Sequence, residues 1–190
     1  MGRNQPRKTM FIDYRVKNAS MYLLSQDSEE TCWAACAVSA KAIKAKARTT
    51  EEKLLKGRYL SAWKAGNSLV LSDLRECYRS LGLVETKMDV SSRAACATQI
   101  QSRAPLIVGG AITTYQGGVA IHQGYHVRLV IGCWGNTTSA DDDDFQVRVF
   151  DPFPPPNFKS EMPFLFTHFR YQMTYNGGSS PVPGVAWYVR

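Results

Sequence analysis

The chain has 190 residues, of which 44% are hydrophobic and 21% are charged, and its formal net charge is +7 at pH 7. This composition predicts one ordinary globular domain with a sizeable core and excludes a disordered chain. No stretch is apolar over the length of a membrane span, so we expect no integral membrane segment.

The first half of the chain has the spacing of apolar residues that is typical of helices. Its first segment is rich in alanine and free of proline and glycine, which favours a helix further. The predicted helices span residues 32–47, 51–59, 71–81 and 93–102.

The second half carries short β-branched and aromatic segments between glycine, proline and polar turns, a pattern that predicts strands. These strands span residues 106–112, 127–134, 145–150, 164–171 and 185–189. We therefore expect an α+β fold in which a helical lobe packs against a sheet lobe, with a cleft between them. The expected organisation is a basic N-terminal extension at residues 1–20 and a single domain at 21–190, with a helical lobe at about 21–104 and a sheet lobe at about 105–190.

Cys32 stands at the predicted start of the first helix, and Gln26 precedes it by six residues. The unpaired backbone N–H groups and the dipole of a helix start favour a thiolate, and the same N–H groups can receive an oxyanion. A glutamine amide can donate one more hydrogen bond to that oxyanion. Cys32 and Gln26 are therefore candidates for a nucleophile and an oxyanion donor. The alternative for Cys32 is a small buried apolar residue.

The histidine expected to pair with Cys32 is His126, which opens the apolar segment 127–131. A position at the entrance of a strand holds an imidazole rigidly, and Gly132 allows a bulge or a close backbone approach after the strand. His122, in a glycine-rich segment, and His168, between phenylalanines, are the alternatives.

Asp151 ends the predicted strand 145–150 and precedes a proline. A carboxylate there can accept the remaining ring N–H of the histidine and fix its tautomer. The alternative is a turn-forming Asp-Pro pair. The acidic run at residues 141–144 is better explained as a solvated hairpin tip than as a calcium site, which needs more interleaved ligands and a glycine turn.

Five cysteines cannot all pair within the chain, and they form no dense disulfide framework. We interpret four of them as core thiols, which indicates a reducing compartment. These four are Cys36, Cys77, Cys96 and Cys133. A metal site built from Cys32, Cys36 and His126 is the less favoured alternative, and we expect neither a metal nor a cofactor.

Positive charge concentrates at residues 1–17 and 41–58. Such a surface can steer a protein to nucleic acid, an anionic membrane or an acidic partner. Because no nucleic-acid motif accompanies the charge, a solvated helix face is the favoured interpretation and nucleic acid is not an expected partner.

Together these segments resemble the papain-like cysteine peptidase superfamily. The resemblance rests on Gln26, Cys32, Trp33 directly after the cysteine, His126 opening an apolar strand, and a later polar residue. The Cys-Trp-Ala-Ala helix start and the Val-Phe-Asp-Pro-Phe-Pro segment are similar to its bacterial branch. That branch includes secreted effectors of plant pathogens and the peptidase domains of bacteriocin exporters.

The resemblance implies a two-lobed fold and a Cys32, His126 and Asp151 triad, with Asp151 in the place that an asparagine takes in plant and lysosomal enzymes. It implies a protein or peptide substrate, for which Trp33, Gly124 and Tyr125 are the predicted contacts. Because the N-terminus lacks the apolar core of a signal peptide, we expect delivery by a specialised secretion system, or processing from a longer parent. An effector or toxin of this kind would act in the reducing cytoplasm of a target cell, and its producer would need an immunity or inhibitor protein.

The same thiol chemistry also serves deamidases, transglutaminases and peptidoglycan amidases, which share the acyl-enzyme intermediate. A catalytically silent module that binds peptide or nucleic acid is a further alternative. The simultaneous presence of Cys32, His126 and Asp151 argues against a silent module, because such a module would be expected to have lost at least one of them.

Overall fold

A computed structural model of the chain describes residues 10–116, 119–153, 160–174 and 184–190. Within these residues the chain forms six α-helices and seven strands. The helices are α1 (Cys32–Ala45), α2 (Glu51–Leu54), α3 (Gly57–Lys64), α4 (Leu71–Ser80), α5 (Arg93–Arg103) and α6 (Phe166–Thr174). The strands are β1 (Phe11–Arg15), β2 (Leu83–Lys87), β3 (Leu106–Gln116), β4 (Val119–Asn136), β5 (Phe145–Asp151), β6 (Ser160–Leu165) and β7 (Val185–Val189).

The strands form one sheet in the order β2-β7-β3-β4-β5-β6, and β1 pairs with the end of β4. Each of these pairings is antiparallel. The predicted α+β class is therefore confirmed, with helices from the first half of the chain packed on an antiparallel sheet, as in a papain-like domain. None of the described helices is both long and apolar enough to cross a membrane.

The two faces of the sheet carry separate cores, because successive residues of a strand point to opposite faces. Ile107 and Leu129 pack with residues of α1 and α4 in one core. Leu106 and Val130 pack with residues of α5 and α6 in the other. Helix α1 thus lies on one face of the sheet, while α5 and α6 lie on the opposite face.

Strands β1 and β2 are absent from the predicted strands. Each has only five residues, and all of these residues except Leu83 are half-buried or exposed, so the apolar signal is weak. β1 falls within the range expected for the N-terminal extension, and it pairs with β4 from Phe11 to Arg15. β2 falls within the range expected for the helical lobe, and it pairs with β7. The sheet therefore includes strands from the ranges expected for the extension and the helical lobe, as well as from the expected sheet lobe.

The strand predicted at residues 164–171 is wrong beyond Leu165, because α6 begins at Phe166. Phe166, Phe169 and Met173 recur at helical spacing, and each is at most 4% exposed. The aromatic composition favours a strand, but burial of one helical face against the sheet outweighs that preference. The segment predicted as one helix at 51–59 is two short helices, because the backbone extends at Leu55 and Lys56.

Gly132 lies at the point where three strands meet. The pairing of β4 with β5 shifts by one residue between Val130 and Gly132, so the predicted bulge is confirmed. The β1 backbone passes so close that a Cβ at Gly132 would clash with the carbonyl oxygen of Tyr14. Only glycine lets β1 pair with β4 at this point.

Candidate active site

Cys32 is the first residue of α1, as the sequence predicts, and it follows the N-cap residue Thr31. The first intrahelical bonds run from the N–H groups of Ala34 and Ala35 to the Thr31 carbonyl, at 3.0 and 3.3 Å. The N–H groups before them, including that of Cys32, belong to the part of a helix that has no intrahelical acceptor. Cys32 is 6% exposed, so the thiol sits at a buried, electropositive helix start.

Small residues let α1 approach the sheet closely, and from Cys32 to Ile43 every residue of the helix except Lys41 is buried. The Cys36 sulfur lies 3.5 Å from the carbonyl oxygen of Val127. Val127 directly follows His126 in β4, so this contact brings the helix of the thiol to the strand of the imidazole. The Cys32 thiol lies close enough to the His126 ring that hydrogen bonding and charge from the thiol raise the pKa of the imidazole.

His126 is 8% exposed and lies within β4, opposite Gly110 of β3. The predicted position at a strand entrance is wrong, because β4 begins at Val119. Its Nε2 is 2.7 Å from Oδ1 of Asp151. Because Nε2 faces the carboxylate, Nδ1 is the ring nitrogen that remains for Cys32. A thiol, an imidazole and a carboxylate are therefore connected in series across α1, β4 and β5.

Asp151, the last residue of β5, is 6% exposed, and its carboxylate accepts hydrogen bonds on both oxygens. Oδ1 accepts from His126 and, at 3.1 Å, from the backbone N–H of Phe153. Oδ2 accepts from Nε of Arg128 at 2.6 Å. The Asp-Pro turn and the contact with the histidine are thus compatible, because the same carboxylate makes both.

Sequence reasoning missed Arg128. The available signal was a cation two residues after His126 in an otherwise apolar strand, since that spacing places both side chains on one face of the sheet. A half-buried arginine in such a strand needs a carboxylate partner, which Asp151 supplies.

The electrostatics of the pair favour charge on both partners. Burial opposes the charged imidazolium, but hydrogen bonds with Asp151 and Cys32, together with their negative charges, outweigh it and raise the pKa of His126 to about 9. Burial also opposes the Asp151 carboxylate. The hydrogen bond and charge of His126, followed by those of Arg128, nevertheless lower the pKa of Asp151 to about 2. At neutral pH the imidazole is therefore protonated and the carboxylate ionised.

The other four cysteines are unpaired and buried, as expected for core thiols. Burial raises the pKa of Cys77 and of Cys133 to about 12. Burial also raises the pKa values of Cys36 and Cys96. Among the described residues, no three His, Cys, Asp or Glu side chains are grouped so that they could hold a metal ion.

Gln26 lies beside the end of β5, because its backbone N–H donates to the Pro152 carbonyl at 3.1 Å. The side chain is 1% exposed, and its Nε2 donates to the Ser28 carbonyl at 2.7 Å. An amide nitrogen carries two hydrogens, so a second one remains for another acceptor. Oε1 has no hydrogen-bond partner among the described residues.

Trp33 is 2% exposed, and its indole Nε1 donates to the Asn67 carbonyl at 3.1 Å. The side chain packs in the core below the helix start and presents no surface to a ligand. Gly124 and Tyr125 lie in β4 and pair with Ile112 and Ala111 of β3, but their side-chain surroundings fall outside the described part of the structure.

The competing histidines lie elsewhere. His122 pairs through its backbone with Thr114, four residues along β4 from His126, and its side chain is outside the described part. His168 is exposed on α6. Among the histidine side chains that the structure describes, His126 is the one that bonds a carboxylate and is influenced by a cysteine.

The acidic run forms a short 3-10 turn, Asp142–Asp144, between β4 and β5. Arginines surround it: the Asp142 carboxylate lies 3.5 Å from Arg93 and 3.6 Å from Arg170. Arg93 also donates to backbone carbonyls of Ser139 and Asp141. The charge of this tip is therefore offset in part by arginines of α5 and α6.

Comparison with known proteins gives one family. The family described as papain-like cysteine protease AvrRpt2 matches residues 15–169, which is more than half of the chain. The match includes each residue of the site described above. It confirms the resemblance to papain-like peptidases on the side of the bacterial effectors. No curated protein gives a significant match.

Proposed function

Because the chain belongs to the papain-like cysteine protease family AvrRpt2, we propose that it is an endopeptidase with Cys32 as its nucleophile and His126 as its acid and base. Asp151 orients the imidazole. The observation that carries this proposal is the position of Cys32, at a helix N-terminus and acting electrostatically on His126, whose Nε2 lies 2.7 Å from Oδ1 of the buried Asp151.

The proposed reaction begins when the Cys32 thiolate attacks the scissile carbonyl carbon. The oxyanion that forms accepts hydrogen bonds from the Cys32 backbone N–H and from the free hydrogen of Gln26 Nε2. The imidazolium of His126 then gives its Nδ1 proton to the leaving amine, and the C–N bond breaks. A thioester on Cys32 remains.

Hydrolysis of the thioester uses the same groups, with His126 now acting as the base. Neutral His126 takes a proton from water, and the hydroxide attacks the thioester carbonyl. The C–S bond then breaks, the thiolate leaves and the carboxyl product is released. Asp151 stabilises the imidazolium at each stage. Its hydrogen bond to Nε2 fixes the orientation of the ring, so that Nδ1 stays directed at the reacting atoms.

The substrate is a protein, with Gly124 and Tyr125 as proposed contacts beside His126. The Trp33 indole supports the helix start from below, because it is buried and bonded to Asn67. We further propose that residues 21–190 form the peptidase domain and that the preceding extension, residues 1–20, joins its sheet through β1. We also propose that the protein is delivered as a secreted effector or toxin and acts in the reducing cytoplasm of a target cell, where its five cysteines stay unpaired. An inhibitor or immunity protein in the producing cell would cover the cleft.

The test compares new protein N-termini in target-cell extracts treated with wild-type chain or with Cys32→Ala. We expect a small set of new N-termini with the wild-type chain and none with the variant. Substrates that stay intact but carry deamidated or cross-linked glutamines would overturn the peptidase proposal in favour of the related amide chemistries. New N-termini produced equally by both chains would exclude Cys32 as the nucleophile.

A further inference from the structure

Asp151 faces two cations, and each takes a different oxygen. His126 Nε2 lies 2.7 Å from Oδ1, and Arg128 Nε lies 2.6 Å from Oδ2. A carboxylate can rotate about its Cβ–Cγ bond. Donors on both oxygens fix the plane of the group.

Arg128 is itself held from two further elements. One of its terminal nitrogens, NH1, donates to Oε1 of Gln172 in α6 at 3.1 Å. Its guanidinium carbon lies 5.5 Å from the centre of the Phe164 ring in β6. The side chain is 15% exposed, so most of its freedom is removed. The planar guanidinium therefore presents Nε to Asp151 in one orientation.

Helix α6 packs tightly against the strand next to His126. A Cβ on Gly110, which is opposite His126 in β3, would lie 3.2 Å from the Gln172 carbonyl oxygen and 3.4 Å from the methyl carbon of Met173. The packing of α6 on the sheet thus fixes Gln172. Gln172 holds Arg128 by a hydrogen bond, and Arg128 in turn holds Asp151.

We propose that Arg128 is a positioning residue that fixes the Asp151 carboxylate for His126, and that Gln172 extends this support to α6. The inference rests on the proposed function, because it assigns a task within the same site. With Oδ2 occupied by Arg128, Oδ1 is the oxygen that faces His126, and its bond to Nε2 leaves Nδ1 for Cys32.

Few charged groups surround the imidazole. The groups whose charge acts on it are Cys32 from α1 and Asp151 from β5, and Arg128 from its own strand meets the other oxygen of Asp151. Helix α6 contributes the neutral amide of Gln172. Arg128 is therefore the single cation beside the Cys32, His126 and Asp151 series among the described residues.

The test uses Arg128→Gln, Arg128→Lys and a matched control, Arg148→Gln. Arg148 lies in β5 and pairs with Asp13 at 3.0 Å and Glu161 at 3.9 Å, away from the site. Two readouts need no substrate: the downfield proton NMR resonance of His126 Nε2–H in its bond to Asp151, and the rate at which iodoacetamide alkylates Cys32.

We expect Arg128→Gln to shift or broaden the resonance and to slow alkylation at least about tenfold, since small displacements of reacting groups have effects up to roughly a hundredfold. Arg128→Lys keeps the charge but lacks the planar fork, so it should restore the rate only in part. Arg148→Gln should leave both readouts unchanged. Unaltered resonance and rate in folded Arg128→Gln would overturn the proposal, as would equal effects of Arg128→Gln and Arg148→Gln.

Gln172→Ala provides the second test, which matters most if Arg128→Gln does not fold. This substitution removes the hydrogen bond between Gln172 and NH1 of Arg128 but keeps the ion pair between Arg128 and Asp151. We therefore expect a several-fold slower alkylation of Cys32. A wild-type rate in Gln172→Ala would contradict the part assigned to α6. A wild-type chain that shows the resonance and fast alkylation but cleaves no protein would contradict the proposed function, and the role of Arg128 would stand.

Discussion

The Nε2 atom of His126 lies 2.7 Å from the Oδ1 atom of Asp151, and both side chains are buried. On its other side, the carboxylate meets the Arg128 guanidinium at 2.6 Å. This arrangement requires an acceptor at both carboxylate positions. An aspartate meets that requirement, whereas an asparagine offers one acceptor and one donor.

We expect Asp151→Asn to lower turnover by about 10⁴, the scale seen when a triad histidine is held in the wrong tautomer. Arg128 always donates, so the asparagine oxygen should turn to Arg128 and its NH₂ group should face Nε2. The ring would then have to lose its Nε2 proton. Cleavage rates of a substrate found by N-terminal mapping measure the effect.

The matched control for that variant is Asp13→Asn, which changes an exposed carboxylate that pairs with Arg148. It should leave turnover unchanged. Turnover of Asp151→Asn close to wild type, with the fold intact, would show that Asp151 serves only the Asp-Pro turn.

The pH dependence follows from the raised pKa of His126, about 9 against an ordinary value of 6.5. The leaving amine needs the imidazolium proton, so cleavage should decline as pH rises through about 9. Because the folded-state pKa is the higher one, the stability that His126 contributes is complete below 6.5 and is lost as pH rises through about 9.

A histidine NMR titration checks the cause of this shift, and the chain has only three histidines to assign. Cys32→Ala removes both a hydrogen bond and a negative charge that raise the pKa of His126. We expect His126 to titrate at a lower pH in that variant than in the wild-type chain. An unchanged titration would mean that the thiol does not contact the ring in solution.

Iodoacetamide should label Cys32 before the other four cysteines at neutral and mildly acidic pH. Cys32 alone has both a helix N-terminus and an imidazolium beside it, and the thiolate is the form that reacts. Burial raises the pKa of each remaining thiol. Peptide mapping by mass spectrometry gives the order of labelling, and equal rates at all five positions would show that His126 does not activate the Cys32 thiol.

Gln26→Ala should lower kcat by about 10² to 10³, the range for loss of one oxyanion donor, equivalent to about 2.7 to 4 kcal/mol. The loss of stability should be smaller, because the variant removes one hydrogen bond to Ser28 and also an unsatisfied buried oxygen.

The matched control for Gln26→Ala is Gln99→Ala, whose amide nitrogen likewise donates to a backbone carbonyl, that of Lys87, at 2.8 Å. The control should retain full turnover. A similar small effect of both substitutions on kcat would assign Gln26 a structural role.

The parts of the site that could be predicted from sequence are those with local signals. Cys32 follows a polar segment and opens an alanine-rich stretch, so a helix start there follows from composition and spacing. His126 and Asp151 stand at the ends of apolar segments, and antiparallel pairing of β4 with β5 brings those ends together.

The parts that could not be predicted depend on tertiary packing. Phe166 to Thr174 has the composition of a strand and becomes helical because one face is buried against the sheet. The partner of Arg128 is 23 residues away in β5, and its second partner, Gln172, lies in that same unpredicted helix. No local pattern links these three positions.

The most direct measurement of the central claim is capture of the acyl-enzyme on Cys32. The chain is mixed with a protein substrate identified by N-terminal mapping, quenched in acid during turnover and analysed by intact mass and peptide mapping. We expect a fragment that ends at the cleaved bond to be attached through Cys32, and no such adduct with Cys32→Ala. Cleavage with the acyl group on another residue, or Cys32→Ala protein that still cleaves, would contradict the claim.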